Sequence, residues 1–261
     1  MTHKPRKRFG QNFLHDPVYQ RRIADSIQLR EGAKCVEIGP GKGAITAHLL
    51  RRFSKLDAIE MDRDLVALLN RKFANTGLCL HQGDVLRVDF KALAGQQRLS
   101  IIGNLPYNIS SPLLFQLIEN LDVIDEMVFM LQKEVVDRMT AAPGNKTYGR
   151  LSVTTGLLLH SEKLFDVPPG AFSPAPKVIS SVVRLRPRTD TDESIDRRIF
   201  DGIVKAAFAQ RRKTIRNALS RWASEDELID LGVDPKQRAE QLDINSYAHL
   251  ARNLSDPDRS A

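Results

Sequence analysis

From Ala33 to Gln132 the chain alternates between two periods, and that alternation limits its possible folds more than any other feature. Short apolar runs (AKCVEIG, KLDAIEMD, LCLHQGDV, LSIIGNLPY and DEMVFMLQ) are interleaved with segments of helical pattern (GKGAITAHLLRRF, RDLVALLNRKFA and SSPLLFQLIEN). Strands joined through helices pair in parallel, because the helix carries the chain back to the starting edge. The expected fold is therefore α/β, a doubly wound, Rossmann-like parallel sheet.

The flanks extend this frame. Asp16-Pro17 has the form of an N-cap followed by proline at the first helical position, and predicts a helix to about Ser26. KEVVDRMTAAPGNKTYG reads as a helix stopped at Pro143-Gly144. LSVTTGLLLH and SEKLFDVPP each read as possible strands, and KVISSVVRLRP, Lys177 to Pro187, as a good one. Composition turns polar at RPRTDTDES and is helical in pattern after Ile195. The expected boundary lies near Arg188, giving a catalytic domain over 1–188 and a small all-helical domain over 189–261.

With 261 residues, 42% hydrophobic and 27% charged, the composition is that of an ordinary globular protein. No apolar run approaches the ~18 residues of a membrane span, and MTHKPRKRFG lacks the apolar stretch of a secretory signal; the expectation is a cytoplasmic protein with no membrane partner. Cys35 and Cys79 both fall in strand-like runs, without a CxxC or Cys/His metal spacing, and are expected as buried, reduced thiols. A formal charge of +7 favours an anionic partner. Lys4, Arg6, Lys7 and Arg8 crowd the start, and between Arg184 and Arg221 eleven basic residues face five acidic ones. Two basic zones suit a phosphate backbone.

In VEIGPGKGAIT, Gly39, Gly41 and Gly43 sit between the first strand and the next helix. Glycine there lets a ligand approach the backbone beside unpaired helix-start N–H groups, although a tight turn can use glycines for packing alone. Glu60, about 20 residues later, ends the second strand, where a carboxylate can take both ribose hydroxyls. Asp84 ends the third, within reach of an adenine amine. Alone, each acid reads as a loop charge or helix cap; in register with the glycines they point to an adenosine-type cofactor. Dinucleotides prefer G-x-G-x-x-G, but here the third glycine comes one residue early and Glu37 precedes the turn. Glu37 suits a ligand with an ammonium group, such as S-adenosylmethionine; its other reading is a half-buried acid paired with Lys34 or Lys42.

The fourth strand runs into Asn104-Leu105-Pro106-Tyr107. An adenine amine is a poor nucleophile because its lone pair is delocalised into the ring. Acceptors at the Asn104 side-chain oxygen and the Leu105 carbonyl would draw that nitrogen toward tetrahedral geometry and free the lone pair. Pro106 would hold the loop through its fixed φ, and Tyr107 would offer a ring for a base to stack on. The plainer reading is a strand-to-helix loop with Asn104 in a turn and Tyr107 in the core.

RFGQNFL, EIGPGKGAIT, NLPYNISSPLL, MLQKEVVDRM, YGRLSV, FSPAPKVISSVV and FAQRRKTIRNAL, in that order from Arg8 to Leu219, resemble the motifs of the adenine dimethyltransferases of small-subunit (16S) ribosomal RNA, the bacterial kasugamycin-sensitivity methyltransferases. The resemblance implies an S-adenosylmethionine-dependent methyltransferase sheet, with S-adenosylhomocysteine as product and no metal. It implies that Asn12 and Leu14 close over the cofactor, Gly39 and Gly41 line its methionine side, Glu60 holds the ribose and Asp84 the adenine. Asn104 through Tyr107 become the catalytic loop, and Phe172, which reads as core on its own, becomes the second ring around a flipped adenine. The implied partner is small-subunit ribosomal RNA in a precursor 30S particle, and the implied state is a monomer. The basic segment before Arg8 is short for the family.

FAQRRKTIRNAL reads as a basic helix, with Phe208, Ile215 and Leu219 on an apolar side and Arg211, Arg212, Lys213 and Arg216 on an RNA-facing one; a solvated charge run is its other reading. Three competing readings remain: a large-subunit dimethyltransferase of the resistance type, an RNA-binding assembly factor on the same fold, and a nicotinamide dehydrogenase.

Overall fold

A computed structural model describes residues 12–106, 109–190, 192 and 194–256. In chain order its elements are β1 (Phe13–Leu14), α1 (Pro17–Ser26), β2 (Lys34–Ile38), α2 (Thr46–Arg52), β3 (Leu56–Glu60), α3 (Arg63–Lys72), β4 (Leu78–Gln82), α4 (Phe90–Ala94), β5 (Leu99–Asn104), α5 (Ser110–Ile118), β6 (Ile124–Gln132), α6 (Lys133–Met139), α7 (Arg150–Leu158), β7 (Leu159–Val167), β8 (Phe172–Ser173), β9 (Ser180–Pro187), α8 (Arg197–Ala209), α9 (Ile215–Ala218), α10 (Glu225–Asp230) and α11 (Ile244–Asn253).

Seven strands form one sheet in the order β4-β3-β2-β5-β6-β9-β7. β2 pairs in parallel with both β3 and β5, β3 with β4, and β5 with β6. β9 runs antiparallel to β6, with Met127 opposite Leu185 and Gln132 opposite Ser180, so the sheet is mixed where a wholly parallel one was expected. The chain leaves β2 toward one edge through β3 and β4, then returns to β5 and proceeds the other way. That reversal opens a crevice at the carboxyl ends of β2 and β5, where ligands bind in such sheets.

Burial follows position. β5 and β6 are buried along nearly their whole length, whereas the edge strand β4 has no fully buried residue. Gly103 marks the closest approach at the reversal: a Cβ there would lie 2.6 Å from the Ile38 carbonyl oxygen. Asp16 caps α1 by accepting from the Val18 and Tyr19 amides, with Pro17 first in the helix, as its sequence predicts.

The chain divides into two compact units, residues 1–136 with 162–187, and residues 137–161 with 188–261. The break near Arg188 falls where composition changed, but the first unit is not continuous over 1–188. The exception, residues 137–161, includes LSVTTGLLLH, expected as a strand, most of which lies in α7. Two hydroxyls of α7 are satisfied on helical backbone, Thr155 on the Leu151 carbonyl at 2.7 Å and Ser152 on the Arg138 carbonyl. Tyr148 and Val153 then enter the core of the second unit, with Phe200, Ile203, Val204 and Ala207 of α8 and Tyr247 of α11. The α8 residues recur at i, i+3, i+4 and i+7, one buried helical face.

No helix among the described residues is long and apolar enough to cross a membrane. Cys35 is buried, as expected, and desolvation pushes its thiol up to about 12. Cys79 is not buried, because β4 is an edge strand and its outer face is uncovered.

Candidate active site

The carboxyl ends of β2, β3 and β5 open into a cleft of about 810 Å³. Gly39, Gly41 and Gly43 form its floor after β2, all with positive φ (+65°, +59° and +76°), which only glycine adopts without strain. At Gly39 and Gly41 the absent side chain leaves backbone open where a ligand can lie, whereas Gly43 is buried and a Cβ on it would meet the Phe73 ring at 2.5 Å. Gly41 is covered by Phe13: a Cβ on it would meet that ring at 3.3 Å.

The acids differ in environment. Glu60 is buried and spans two amides, Oε2 accepting from Gly41 at 3.1 Å and Oε1 from Asp62 at 2.9 Å. Burial raises its carboxyl above the ordinary glutamate value, while those two donors pull it down. Each carboxylate oxygen has a second lone pair, so acceptor capacity remains toward the cleft. Glu37 is fully buried and accepts from the Thr46 hydroxyl at 2.6 Å; burial pushes it up to about 7. Neither expected lysine is its partner: Lys34 donates to the Leu93 carbonyl at 2.7 Å and Lys42 stands 4.5 Å from the centre of the Phe13 ring. Asp84 lines the cleft and also caps the turn after β4, accepting from the Leu86 amide at 3.0 Å. Its plainer reading as a cap holds, at a position that also borders the cleft.

Asn104 ends β5 at the reversal. Its Nδ2 donates to the Asn12 carbonyl oxygen at 3.2 Å, which leaves Oδ1 as an acceptor without a donor among the described residues. Leu105 is buried and its amide donates to the Met130 carbonyl at 3.2 Å, so the first step out of β5 is held by β6. Pro106 lines the same cleft, and Tyr107 lies outside the described residues.

β1 and β8 make a separate two-stranded antiparallel ribbon, with Phe13 opposite Ser173 and Leu14 opposite Phe172. This pairing brings Asn12, Leu14 and Phe172 to the cleft, although about 160 residues separate them in sequence. Phe172 is 4% exposed and packs in the core with Leu14, Val167 and Val182 while lining the cleft. Phe172 is therefore core, as its plain reading has it, at a position that also borders the cleft.

Sequence reasoning missed Phe13, Met61 and Val85, which also line the cleft, and Thr46, buried beside it as the hydroxyl donor to Glu37. Met61 carried the clearest signal, a large apolar side chain 52% exposed between two acids. Phe13 was within a quoted motif, but only the β1–β8 ribbon lays it on Gly41.

Arg211, Arg212, Lys213 and Arg216 belong to the helical unit and are exposed. They do not share one helix: α8 ends at Ala209 and α9 begins at Ile215, with Ile215 and Leu219 buried. The Arg211 guanidinium donates to the Lys146 and Tyr148 carbonyls at 2.9 and 2.7 Å, and Arg216 pairs with Glu225 at 2.8 Å. Arg211 thus holds its own unit together, whereas Arg212 and Lys213 project from the turn between the helices.

A family model described as ribosomal RNA adenine dimethylase matches residues 2–256. The chain is 49% identical over 256 residues to the ribosomal RNA small subunit methyltransferase A of Methylococcus capsulatus, covering 98% of this chain and 100% of that one. It is 50% identical over 254 residues to the protein of the same description from Thiobacillus denitrificans, covering 97% and 99%. Among solved structures, a dimethyladenosine transferase from Plasmodium falciparum superposes with a TM-score of 0.79 at 25% identity, covering 91% of this chain and 95% of that one. The 23S rRNA methyltransferase ErmE superposes with a TM-score of 0.74 at 25% identity, covering 94% and 100%.

Proposed function

Since the chain belongs to the ribosomal RNA adenine dimethylase family, we propose that it methylates the exocyclic N6 amines of two adjacent adenines near the 3′ end of small-subunit ribosomal RNA, within precursor 30S particles. The products are N6,N6-dimethyladenosine and S-adenosylhomocysteine. Relatives at 49–50% identity are described as small-subunit enzymes, against 25% for the large-subunit enzyme, which favours the small subunit as substrate.

The cleft suits S-adenosylmethionine. The bare backbone at Gly39 and Gly41 accommodates the methionine part, Glu37 faces its ammonium, Glu60 takes the ribose hydroxyls and Asp84 the adenine amine. Met61 and Val85 supply apolar surface for the adenine ring. When bound, S-adenosylmethionine supplies an electrophilic methyl group on a sulfonium.

The observation that carries the proposal is the orientation of Asn104. Tied through Nδ2 to Asn12, it presents Oδ1 as an acceptor at the mouth of the cofactor cleft. That oxygen and the Leu105 carbonyl accept the two hydrogens of the target amine, localise its lone pair and aim it into the cleft. Phe172 and Tyr107 hold the flipped base, returning part of the few kcal/mol that unstacking costs. Arg212 and Lys213 contact phosphate and position the particle without reading sequence.

Incubation with labelled S-adenosylmethionine and, separately, unmethylated small-subunit particles, large-subunit particles and free small-subunit RNA tests this reading. Label in dimethyladenosine from the small-subunit particle is expected. Label confined to large-subunit RNA would place the chain in the resistance branch, and tight particle binding without label would make it an assembly factor.

A further inference from the structure

On the edge of the sheet away from β7, a second cluster of reactive side chains lies outside the cleft. Cys79 and His81 alternate on β4, so both project from one face of the strand. Register puts Asp57 of β3 level with Cys79. One donor atom from each residue lies within 4.8 Å of the other two, and no other three histidine, cysteine or acidic residues among those described converge in this way. Cys-x-His is a spacing that appears uninformative in sequence, because its third member sits 22 residues earlier on another strand.

We propose that Asp57, Cys79 and His81 form a three-ligand site for a borderline-soft divalent ion of the zinc type, with solvent in the fourth position. A tetrahedral ion with bonds of about 2.0 Å to nitrogen or oxygen and about 2.3 Å to sulfur places its ligands about 3.3–3.5 Å apart. Cys79 Sγ and His81 Nε2 are already 3.7 Å apart. His81 Nε2 and Asp57 Oδ1 are at hydrogen-bond distance, 2.6 Å, and must open by roughly 0.7 Å to reach that spacing. The imidazole is 41% exposed and Cys79 lies on an uncovered edge, so solvent and ion can enter. A thiolate, an imidazole and one carboxylate match zinc or cobalt, and not magnesium or calcium, which take oxygen ligands.

Protons balance simply. At present Nε2–H donates to the Asp57 carboxylate; on binding, that proton moves to Nδ1 and the freed Nε2 lone pair takes the ion, while the Cys79 proton leaves to solvent. Burial and the Asp57 carboxylate hold the Cys79 thiol above its ordinary value, against a smaller lowering by the Lys34 charge, so the ion has to displace that proton. The ion would tie together β3 and β4, the strands that end at Glu60 and just before Asp84. It would brace that edge without entering the reaction.

The full chain, stripped of metal with a chelator, is titrated with cobalt(II) and then zinc. One equivalent of cobalt should give thiolate-to-cobalt charge-transfer absorption with intense tetrahedral visible bands, and zinc should displace both. Cys79→Ser should abolish the charge-transfer band, and His81→Gln and Asp57→Asn should each weaken binding at least tenfold. Zinc should raise the melting temperature of the parent protein but not of Cys79→Ser, whose circular dichroism confirms folding. Absence of the band in the parent protein, its persistence in Cys79→Ser, or unchanged affinity in His81→Gln would overturn the site.

Discussion

Glu37 offers a quantitative test of the cleft, because a fully buried carboxyl must leave a pH signature in stability. Its folded value stands at about 7, against 4.5 for an ordinary glutamate, chiefly through desolvation. Below 4.5 both the folded and unfolded chains hold the proton. Between 4.5 and 7 the unfolded chain releases it and the folded chain keeps it, so stability falls by about 1.4 kcal/mol per pH unit. Above 7 both have released it, and the cost levels off at about 3 kcal/mol. Glu37→Gln removes the ionisation, while its amide oxygen still accepts from Thr46. Urea denaturation midpoints of the two proteins without cofactor, taken from pH 5 to 8, should therefore diverge. The variant should be about 2.5 kcal/mol the more stable relative to its own offset at pH 5, with the divergence complete near pH 8. Glu60, also raised, adds a slope of its own, but the difference between the proteins isolates Glu37. Cofactor binding supplies the opposite sign. If the ammonium of S-adenosylmethionine requires the ionised acid, its affinity should fall about tenfold per unit below pH 7 in the parent protein and stay flat in Glu37→Gln. Parallel denaturation curves would refute the buried acid, and a flat affinity profile in the parent would refute its role at the ammonium.

Asn104→Ala should lower methyl transfer by about 10²–10³-fold, the scale for one lost transition-state hydrogen bond, with S-adenosylmethionine affinity within a few-fold by calorimetry; equal loss of both would make the loop a scaffold. Phe172→Ala should cost about 3–5 kcal/mol in denaturant because the ring is core as well as cleft wall, so Phe172→Leu is the cleaner variant, expected to impair RNA turnover more than cofactor affinity. Replacing Arg212 and Lys213 by Gln should weaken particle binding and flatten its salt slope by about 2, one unit per phosphate contact, in a filter-binding series. Arg211→Ala should instead lower thermal stability, since it gives up two backbone carbonyls, and an effect confined to the salt slope would contradict that assignment.

Local physics made much of this protein legible in its sequence. Apolar runs of strand length, separated by helical periods, can bury their faces in few ways other than an α/β sheet. Positive-φ turns require glycine, so Gly39, Gly41 and Gly43 mark the turn at the floor of the cleft in the sequence itself. Glu60, Asp84 and Asn104 followed because strand ends in such a sheet share one side. Other features depended on partners distant in sequence. Whether LSVTTGLLLH became strand or helix turned on the Met139 and Arg138 carbonyls and the helical core beside it. The basic segment after Phe208 broke because Ile215 and Leu219 had a core to enter, and Arg211 was claimed by Lys146 and Tyr148. Only the β1–β8 ribbon could bring Asn12 to Asn104 and so fix which atom of that amide is tied down. Only the edge position of β4 could leave Cys79 open beside Asp57 and His81. Backbone preference and periodicity are properties of neighbouring residues and are written in the chain; burial, register and the orientation of a hydrogen bond belong to pairs that folding brings together.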